Sequence, residues 1–445
     1  MTAALPARFV ERVRAQLGED DAAALCAALD TPPVRAMRVN PLKTSMAEAC
    51  AIVGVAVDRV PWCERDATYL SVDEARFAAA SPGHAAGLWY LQEPSAMAVV
   101  EALGVAASAG ALVFDAAASP GGKATHLASA VGVDGVVVAN EVVRARVGSL
   151  LDNVERWGAP NTMVTSASLD RVAAAAPGVF DAAVVDAPCS GEAMFRKDEV
   201  ARRAWSDAHV AGSAARQALL LASTAEVVRA GGSIAYSTCT FNEDENEAVV
   251  ARFLDAHPSW APVRTERYWP HRSRCDGHVV TVLRRSAADE DTPSRSVRIS
   301  RGLRPENPHR TDRALVDAFV RDLDWGRVVR RDDSIYLVPP AGRVPPELPS
   351  VVRGGLPLGK LRAGRFEPSH ALAISTLALT DGFEHVDLDE DGDARQFLAG
   401  HVVERDGEPG WLAVRWRGHR IGWGKRTAGR VKPRIPRRVR TAAGR

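Results

Sequence analysis

Short runs of small and apolar residues alternate with amphipathic stretches through the middle of this chain, a pattern that predicts a parallel sheet flanked by helices. Ala111 to Phe114, Gly135 to Ala139, Met163 with Val164, Ala182 to Val185 and Ser233 to Tyr236 read as strands buried on both faces. Between them, Gly122 to Val131, Arg144 to Trp157 and Ala214 to Ala230 read as helices, the last with Gly231-Gly232 as its C-cap. Residues 105 to 285 are therefore expected to form a doubly wound, mostly parallel α/β domain of the nucleotide-binding kind. Before it lies a mixed region containing Arg38 to Lys43. After it, Ala287 to His309 is rich in Pro, Ser, Asp and Arg without apolar periodicity and reads as a linker or exposed loop. Ser334 to Val338, Leu412 to Arg415 and Arg420 to Gly422, set apart by Gly and Pro, suggest a small β-rich terminal module.

Composition narrows this picture. At 445 residues the chain exceeds one ordinary core, so about two to four domains are expected. No segment reaches the roughly 18 uncharged apolar residues of a membrane span, and the first residues lack a signal-peptide core. A cytoplasmic protein without membrane contact is expected. Six cysteines at irregular spacing, with no Cys-x-x-Cys, predict neither a disulfide framework nor a metal site. Cys26, Cys50, Cys63 and Cys275 read as small buried apolar residues. Cys189, in Asp186-Ala187-Pro188-Cys189-Ser190-Gly191, and Cys239, in Tyr236-Ser237-Thr238-Cys239-Thr240, differ from these because each follows a predicted strand. A thiol at such a strand end faces the ligand crevice of an open sheet, so the two suggest a paired-cysteine active site.

The net charge is only +1, yet Pro409 to Arg445 contains no acidic residue and twelve arginines or lysines. Trp411, Trp416 and Trp423 interleave with them as stacking or packing surfaces, a pattern expected of a nucleic-acid partner.

Asp115-Ala116-Ala117-Ala118-Ser119-Pro120-Gly121-Gly122-Lys123 joins the first strand to the first helix. Its glycines are expected to let backbone approach a ligand at a helix N-terminus. It is neither Gly-x-Gly-x-x-Gly nor a Walker loop, which removes support for a dinucleotide or a triphosphate. Glu141, after the second strand, stands where an acid binds ribose hydroxyls. A nucleoside cofactor without pyrophosphate fits best, S-adenosyl-L-methionine being the common one; a tight turn that merely caps a helix is the alternative.

Together these segments resemble the RNA 5-methylcytosine methyltransferases of the Nop/Sun family, in its RsmF-like ribosomal RNA branch. The resemblance spans most of the chain. It rests on the loop above, Asn153 to Gly158, DAPCSGEAMFRKD (186 to 198) and YSTCTFNEDENE (236 to 247). Further matches are Gly87 to Ser95, similar to the segment that closes over the cofactor, Trp269-Pro270-His271, Gly277-His278, Gly355 to Gly359, Glu367 to Ala373 and the basic C-terminus. The resemblance implies a Rossmann-like methyltransferase domain at 99–286, an N-terminal α+β RNA-binding and cofactor-closing region at 1–98, and a linker at 287–311. It further implies a first C-terminal domain at 312–380 and a PUA-like RNA-binding module at 381–445. Two departures stand out. Ser168 occupies the register where the family places an acid near the adenine, with Asp170 the nearest carboxylate, and Lys432 to Arg437 differs from the usual terminal motif.

Cytosine C5 is a weak nucleophile, so a thiolate must first add at C6. The resemblance implies Cys239 as that nucleophile and Cys189 as the thiol that assists release. Asp186 is expected to face the N3 side, where a raised pKa would favour proton donation; the Pro188 carbonyl is expected to accept from the exocyclic amine. Lys123 is expected to orient Asp186 or the base, and Arg196 with Lys197 to hold phosphate. Cofactor contacts are expected from Ala117, Ala118, Ser119, Pro120, Gly121, Gly122, Lys123, Glu141, Arg146, Ser168 and Asp186. The expected substrate is 16S ribosomal RNA or the small subunit, met by a monomer. The alternatives are a transfer RNA substrate, a ribosome-assembly factor with dispensable catalysis, and a dehydrogenase, which the missing Gly-x-Gly-x-x-Gly disfavours.

Overall fold

The computed structural model describes residues 3–104, 110–288, 308–340 and 348–440, so the linker expected at 287–311 lies almost wholly outside the described residues. The centre is an eight-stranded sheet. In chain order its strands are β1 (Leu112–Asp115), β2 (Val136–Asn140), β3 (Thr162–Thr165), β4 (Phe180–Asp186), β5 (Val228–Thr238), β6 (Trp260–Tyr268), β7 (His278–Arg285) and β8 (Val351–Arg353). They lie in the order β8-β3-β2-β1-β4-β5-β7-β6. The five from β3 to β5 run parallel, whereas β7, β6 and β8 pair antiparallel to their neighbours. Strand order reverses between β1 and β4, which opens a crevice at their C-terminal ends. Val113, Phe114, Val137, Val138, Ala183, Val184 and Val185 are fully buried, because helices cover both faces of the sheet.

The helices around it include α1 (Pro94–Leu103), α2 (Gly122–Ala130), α3 (Arg144–Trp157), α4 (Leu169–Ala175), α5 (Asp207–Val227) and α6 (Glu247–Ala256). The borders of α3 are those expected. Those of α5 are not. It starts at Asp207, seven residues earlier than Ala214, behind the N-cap Ser206, which accepts from the His209 amide at 3.1 Å. It ends at Val227 because Val228 already pairs with Phe180 in the sheet. Gly231-Gly232 is thus no helix cap. The pair lies inside β5 where the register against β4 shifts, and Gly231, with φ of 71°, accommodates the extra residues.

Apolar cores cross the expected domain borders. The N-terminal helices Ala7–Leu17 and Glu19–Leu29 pack against Phe195, Trp205, Phe241 and Trp269. Met37, Val39 and Trp89, from an antiparallel sheet of Arg35–Val39, Ala67–Leu70 and Trp89–Gln92, share a core with Val414, Trp416 and Ile421 of a C-terminal five-stranded sheet. β8, from the C-terminal half, covers the edge of β3, and the Ser166 amide donates to the Ser350 carbonyl at 3.0 Å.

Candidate active site

Asp186 of β4 lies opposite Ser237 of β5, so the loops after these strands leave the sheet side by side. Their cysteines meet: Cys189 Sγ and Cys239 Sγ are 3.4 Å apart. Ser190 Oγ and Thr240 Oγ1 form a second cross-loop contact of 2.9 Å. Two buried carboxylates fix this pairing. Glu245 accepts from the Ser190 amide (2.9 Å) and Gln217 Nε2 (2.8 Å), and Glu192 accepts from the amides of Phe241 (2.6 Å) and Asn242 (3.0 Å). Asn242 Nδ2 donates to both acids, at 3.0 and 2.8 Å. Each loop's buried amides are satisfied by the other's carboxylate, which holds both thiols in one place. Sequence reasoning did not single out Glu192, Asn242 or Glu245; the density of acids and amides from Asn242 to Asn246 was the available signal. The contact with Cys239, with burial, pushes the Cys189 thiol well above its ordinary range.

Asp186 Oδ2 accepts from Lys123 Nζ at 2.6 Å, while Oδ1 accepts from Ser237 Oγ at 3.0 Å and has His278 Nε2 at 3.3 Å. Removal from water opposes its ionisation, but Lys123 and His278 outweigh that and hold the carboxyl well below its ordinary range. A raised pKa would help Asp186 act as proton donor; the lowered one favours the alternative role, an electrostatic partner of the base. The carboxylate is held ionised by a cation that the loop and α2 deliver. His278, which the sequence offered only as part of a motif, adds a second one when protonated. The Pro188 carbonyl already accepts from Gln217 Nε2 at 3.1 Å, leaving one lone pair for another donor.

Asp115, at the end of the neighbouring strand, is raised instead. It is fully buried at the end of β1, both carboxylate oxygens lack a hydrogen-bond partner among the described residues, and burial pushes it up to about 7 against the pull of Lys123. Glu141 is also buried; its Oε1 accepts from the Val143 amide at 2.8 Å and its Oε2 has no hydrogen bond, with Arg146 3.6 Å away. Ser166 Oγ is a third buried orphan. These unspent acceptors line the crevice between β1, β2 and β3 and suit a ligand bearing hydroxyls and a positive charge, which is the chemistry of S-adenosylmethionine.

Other expected contacts are spent within the protein. Arg146 Nη2 donates to the Ser119 carbonyl (2.8 Å) and Ser119 Oγ to the Arg146 carbonyl (2.9 Å), tying the loop to α3. The glycines serve packing more than ligand approach. Gly121 has φ of 115° and a Cβ there would lie 3.2 Å from Asn153, while one on Gly122 would lie 3.1 Å from Gln92. Ser168 precedes α4 and bonds the exposed Asp170. Asn140 holds the loop after β3, joining Thr165 Oγ1 (2.9 Å) and the Ala167 amide and carbonyl (both 3.1 Å).

Arg196 does not face phosphate. Its guanidinium donates to the Cys275 carbonyl at 2.6 Å and, with Lys197, pairs with buried Asp276. In the C-terminal sheet Trp416 and Trp423 are fully buried core, and only Trp411 is partly open, with Lys425 and Arg434 each 5.7 Å from its ring. Arg415, Arg417, Arg426 and Arg438 are paired with acids. Lys425, Arg430, Lys432 and Arg437 have no ion pair among the described residues and form the available basic face. No helix among the described residues is long and apolar enough to cross a membrane.

Four family models match in succession: the N-terminal domain of 16S rRNA methyltransferase RsmF at 5–94, 16S rRNA methyltransferase RsmB/F at 102–284, the RsmF first C-terminal domain at 314–376 and the RsmF PUA domain at 383–441. Ribosomal RNA small subunit methyltransferase F of Aeromonas salmonicida is 32% identical, over 98% of this chain and 97% of its own. That of Vibrio vulnificus is 30% identical over 98% and 97%. A methyltransferase homolog from Pyrococcus horikoshii is 26% identical with a TM-score of 0.55, covering 62% of this chain and 94% of that one. NSun6 from the same organism, crystallised with SFG, shares the fold at 17% identity and a TM-score of 0.56, over 63% of this chain and 98% of its own.

Proposed function

The chain belongs to the RsmF group of the Nop/Sun RNA 5-methylcytosine methyltransferases, which depend on S-adenosylmethionine, and on that premise we propose that it methylates cytosine C5 in 16S ribosomal RNA with Cys239 as nucleophile. The observation that carries this reading is the pair of thiols 3.4 Å apart beside an ionised Asp186–Lys123 pair. The cofactor supplies an electrophilic methyl group. Asp115, Glu141 and the backbone of Ala117 to Gly122 hold it, with Asn140 and Ser166 shaping the adenine side.

Cys239 adds to C6 of the extruded base, which makes C5 electron-rich. Asp186 relays a proton to the N3 edge as charge develops there, taking one from Lys123, which is left as the neutral amine, and the Pro188 carbonyl accepts from the exocyclic amine. After methyl transfer a solvent water takes the C5 proton, the C–H electrons restore the C5–C6 double bond, and Cys239 leaves C6 as a thiolate that the Cys189 thiol, 3.4 Å away, can protonate. Cys189 keeps its proton because Cys239 and burial disfavour its thiolate, which suits a proton donor or partner in release over a second nucleophile. Lys425, Arg430, Lys432 and Arg437 approach the RNA backbone. The enzyme acts as a cytoplasmic monomer.

The test is bisulfite sequencing of ribosomal and transfer RNA from a strain lacking the protein, its parent, and strains restored with wild type or Cys239→Ala. A 5-methylcytosine in small-subunit RNA that disappears and returns only with wild type is expected. Loss of a transfer RNA mark alone would move the substrate to the other RNA class.

A further inference from the structure

Away from the active site, three ligand-type side chains from three segments converge. Cys63 sits in a turn fixed by its amide donating to the Val60 carbonyl and by the Ala67 amide donating to its own carbonyl, both at 2.9 Å. Glu101 comes from α1 and His126 from α2. Glu101 Oε1 accepts from Cys63 Sγ at 3.4 Å and contacts His126 Nε2 at 3.1 Å, and the sulfur, ring nitrogen and carboxylate oxygen all lie within 4.8 Å of one another. Cys63 and His126 are 3% and 4% exposed. Glu101 opens onto a cavity of about 410 Å³ that His126, Trp62 and Asp66 also line.

We propose that Cys63, Glu101 and His126 bind one divalent ion of the zinc class, with a water from the cavity in the fourth position. Bonds of about 2.0–2.3 Å in a tetrahedron set ligand atoms about 3.3–3.8 Å apart, close to the two contacts already present. Thiolate, imidazole and carboxylate together select zinc, cobalt or nickel over magnesium or calcium. Binding sends the thiol proton to solvent, and the imidazole coordinates through Nε2 with its proton on Nδ1. The surrounding charges accommodate the ion. Glu101 and Asp66 against the buried Arg38 guanidinium leave one net negative charge, and the thiolate makes two; Glu64 and Arg65 at the cavity rim cancel.

Cys63 belongs to the N-terminal region, whereas His126 lies one turn after Lys123 on α2. The ion would therefore clamp the N-terminal region to the helix whose lysine holds Asp186. No Cys-x-x-Cys announces the site because its ligands stand 25 and 38 residues apart in the chain.

The test is cobalt titration of the full-length protein, freed of metal, carrying Cys189→Ser and Cys239→Ser so that the active-site thiols cannot compete. One cobalt per chain is expected, with a near-ultraviolet thiolate-to-cobalt absorption that zinc abolishes and a rise in Tm. Adding Cys63→Ser removes the absorption and the Tm rise. Glu101→Gln, open to the cavity and shape-preserving, weakens binding without unfolding the chain. If cobalt gives no thiolate absorption, or the absorption survives Cys63→Ser, the three residues are only a hydrogen-bonded cluster.

Discussion

Asp115 and Asp186 end neighbouring parallel strands, yet they are held in opposite states. Asp186 leaves a third of its side chain open and touches Lys123, Ser237 and His278, which keep it ionised. Asp115 is sealed from water, touches no donor side chain and is pushed up to about 7. The difference separates two halves of one crevice. On the substrate side, partners supplied by the protein set the charge before the base arrives, as preorganised electrostatics requires. On the proposed cofactor side, acceptors are left unspent, as suits a partner that would come from outside.

Substitutions on the two sides should therefore fail differently. Cys239→Ala has the largest effect: methylation falls below detection while calorimetric cofactor affinity stays at the wild-type value, and full activity would refute the nucleophile. Cys189→Ala is expected to accumulate a covalent protein–RNA adduct that survives a denaturing gel; its absence would remove the release role. Asp186→Asn should lower kcat by about 10²–10⁴-fold with cofactor affinity unchanged, in single-turnover assays. Asp115→Asn should do the reverse, weakening cofactor binding by roughly 10–100-fold, as for loss of a hydrogen bond to a charged group, with kcat at saturation nearly intact.

The two acids also differ in pH dependence. Because the folded protein keeps a proton on Asp115 that the unfolded chain loses near pH 4, the ligand-free protein loses stability as pH rises from about 4 to about 7, by on the order of 1 kcal/mol per unit. Denaturant melts at stepped pH should show this slope in the parent and lack it in Asp115→Asn. Asp186 contributes the opposite slope, but only in acid, where its lowered pKa is reached. Cofactor affinity should rise through pH 7 as Asp115 ionises.

Legibility followed the range of the interaction. The helix Arg144–Trp157 was readable to both ends because its apolar stripe and Gly158 are local signals. Gly231-Gly232 carried the same local signal and misled, since pairing with β4 had already begun at Val228. The charge-rich C-terminus was read as one basic surface, but acids at Asp387, Asp391, Glu384 and Glu155, scattered along the chain, neutralise part of it. Arg196 was likewise claimed from afar by Asp276.

What the sequence by itself determined was which chemical groups end which strands: two thiols, Asp186, Asp115 and Glu141 follow short apolar runs, and such runs bounded by turn residues read as buried parallel strands whose ends meet the crevice. What only the tertiary structure decided was their state. Protonation depends on burial and on charges a few ångströms away, and Lys123 reaches Asp186 across 63 positions of chain while no donor side chain among the described residues bonds Asp115. Residue type is written locally, but pKa and pairing are set by distances that exist only once the sheet has brought its loops together.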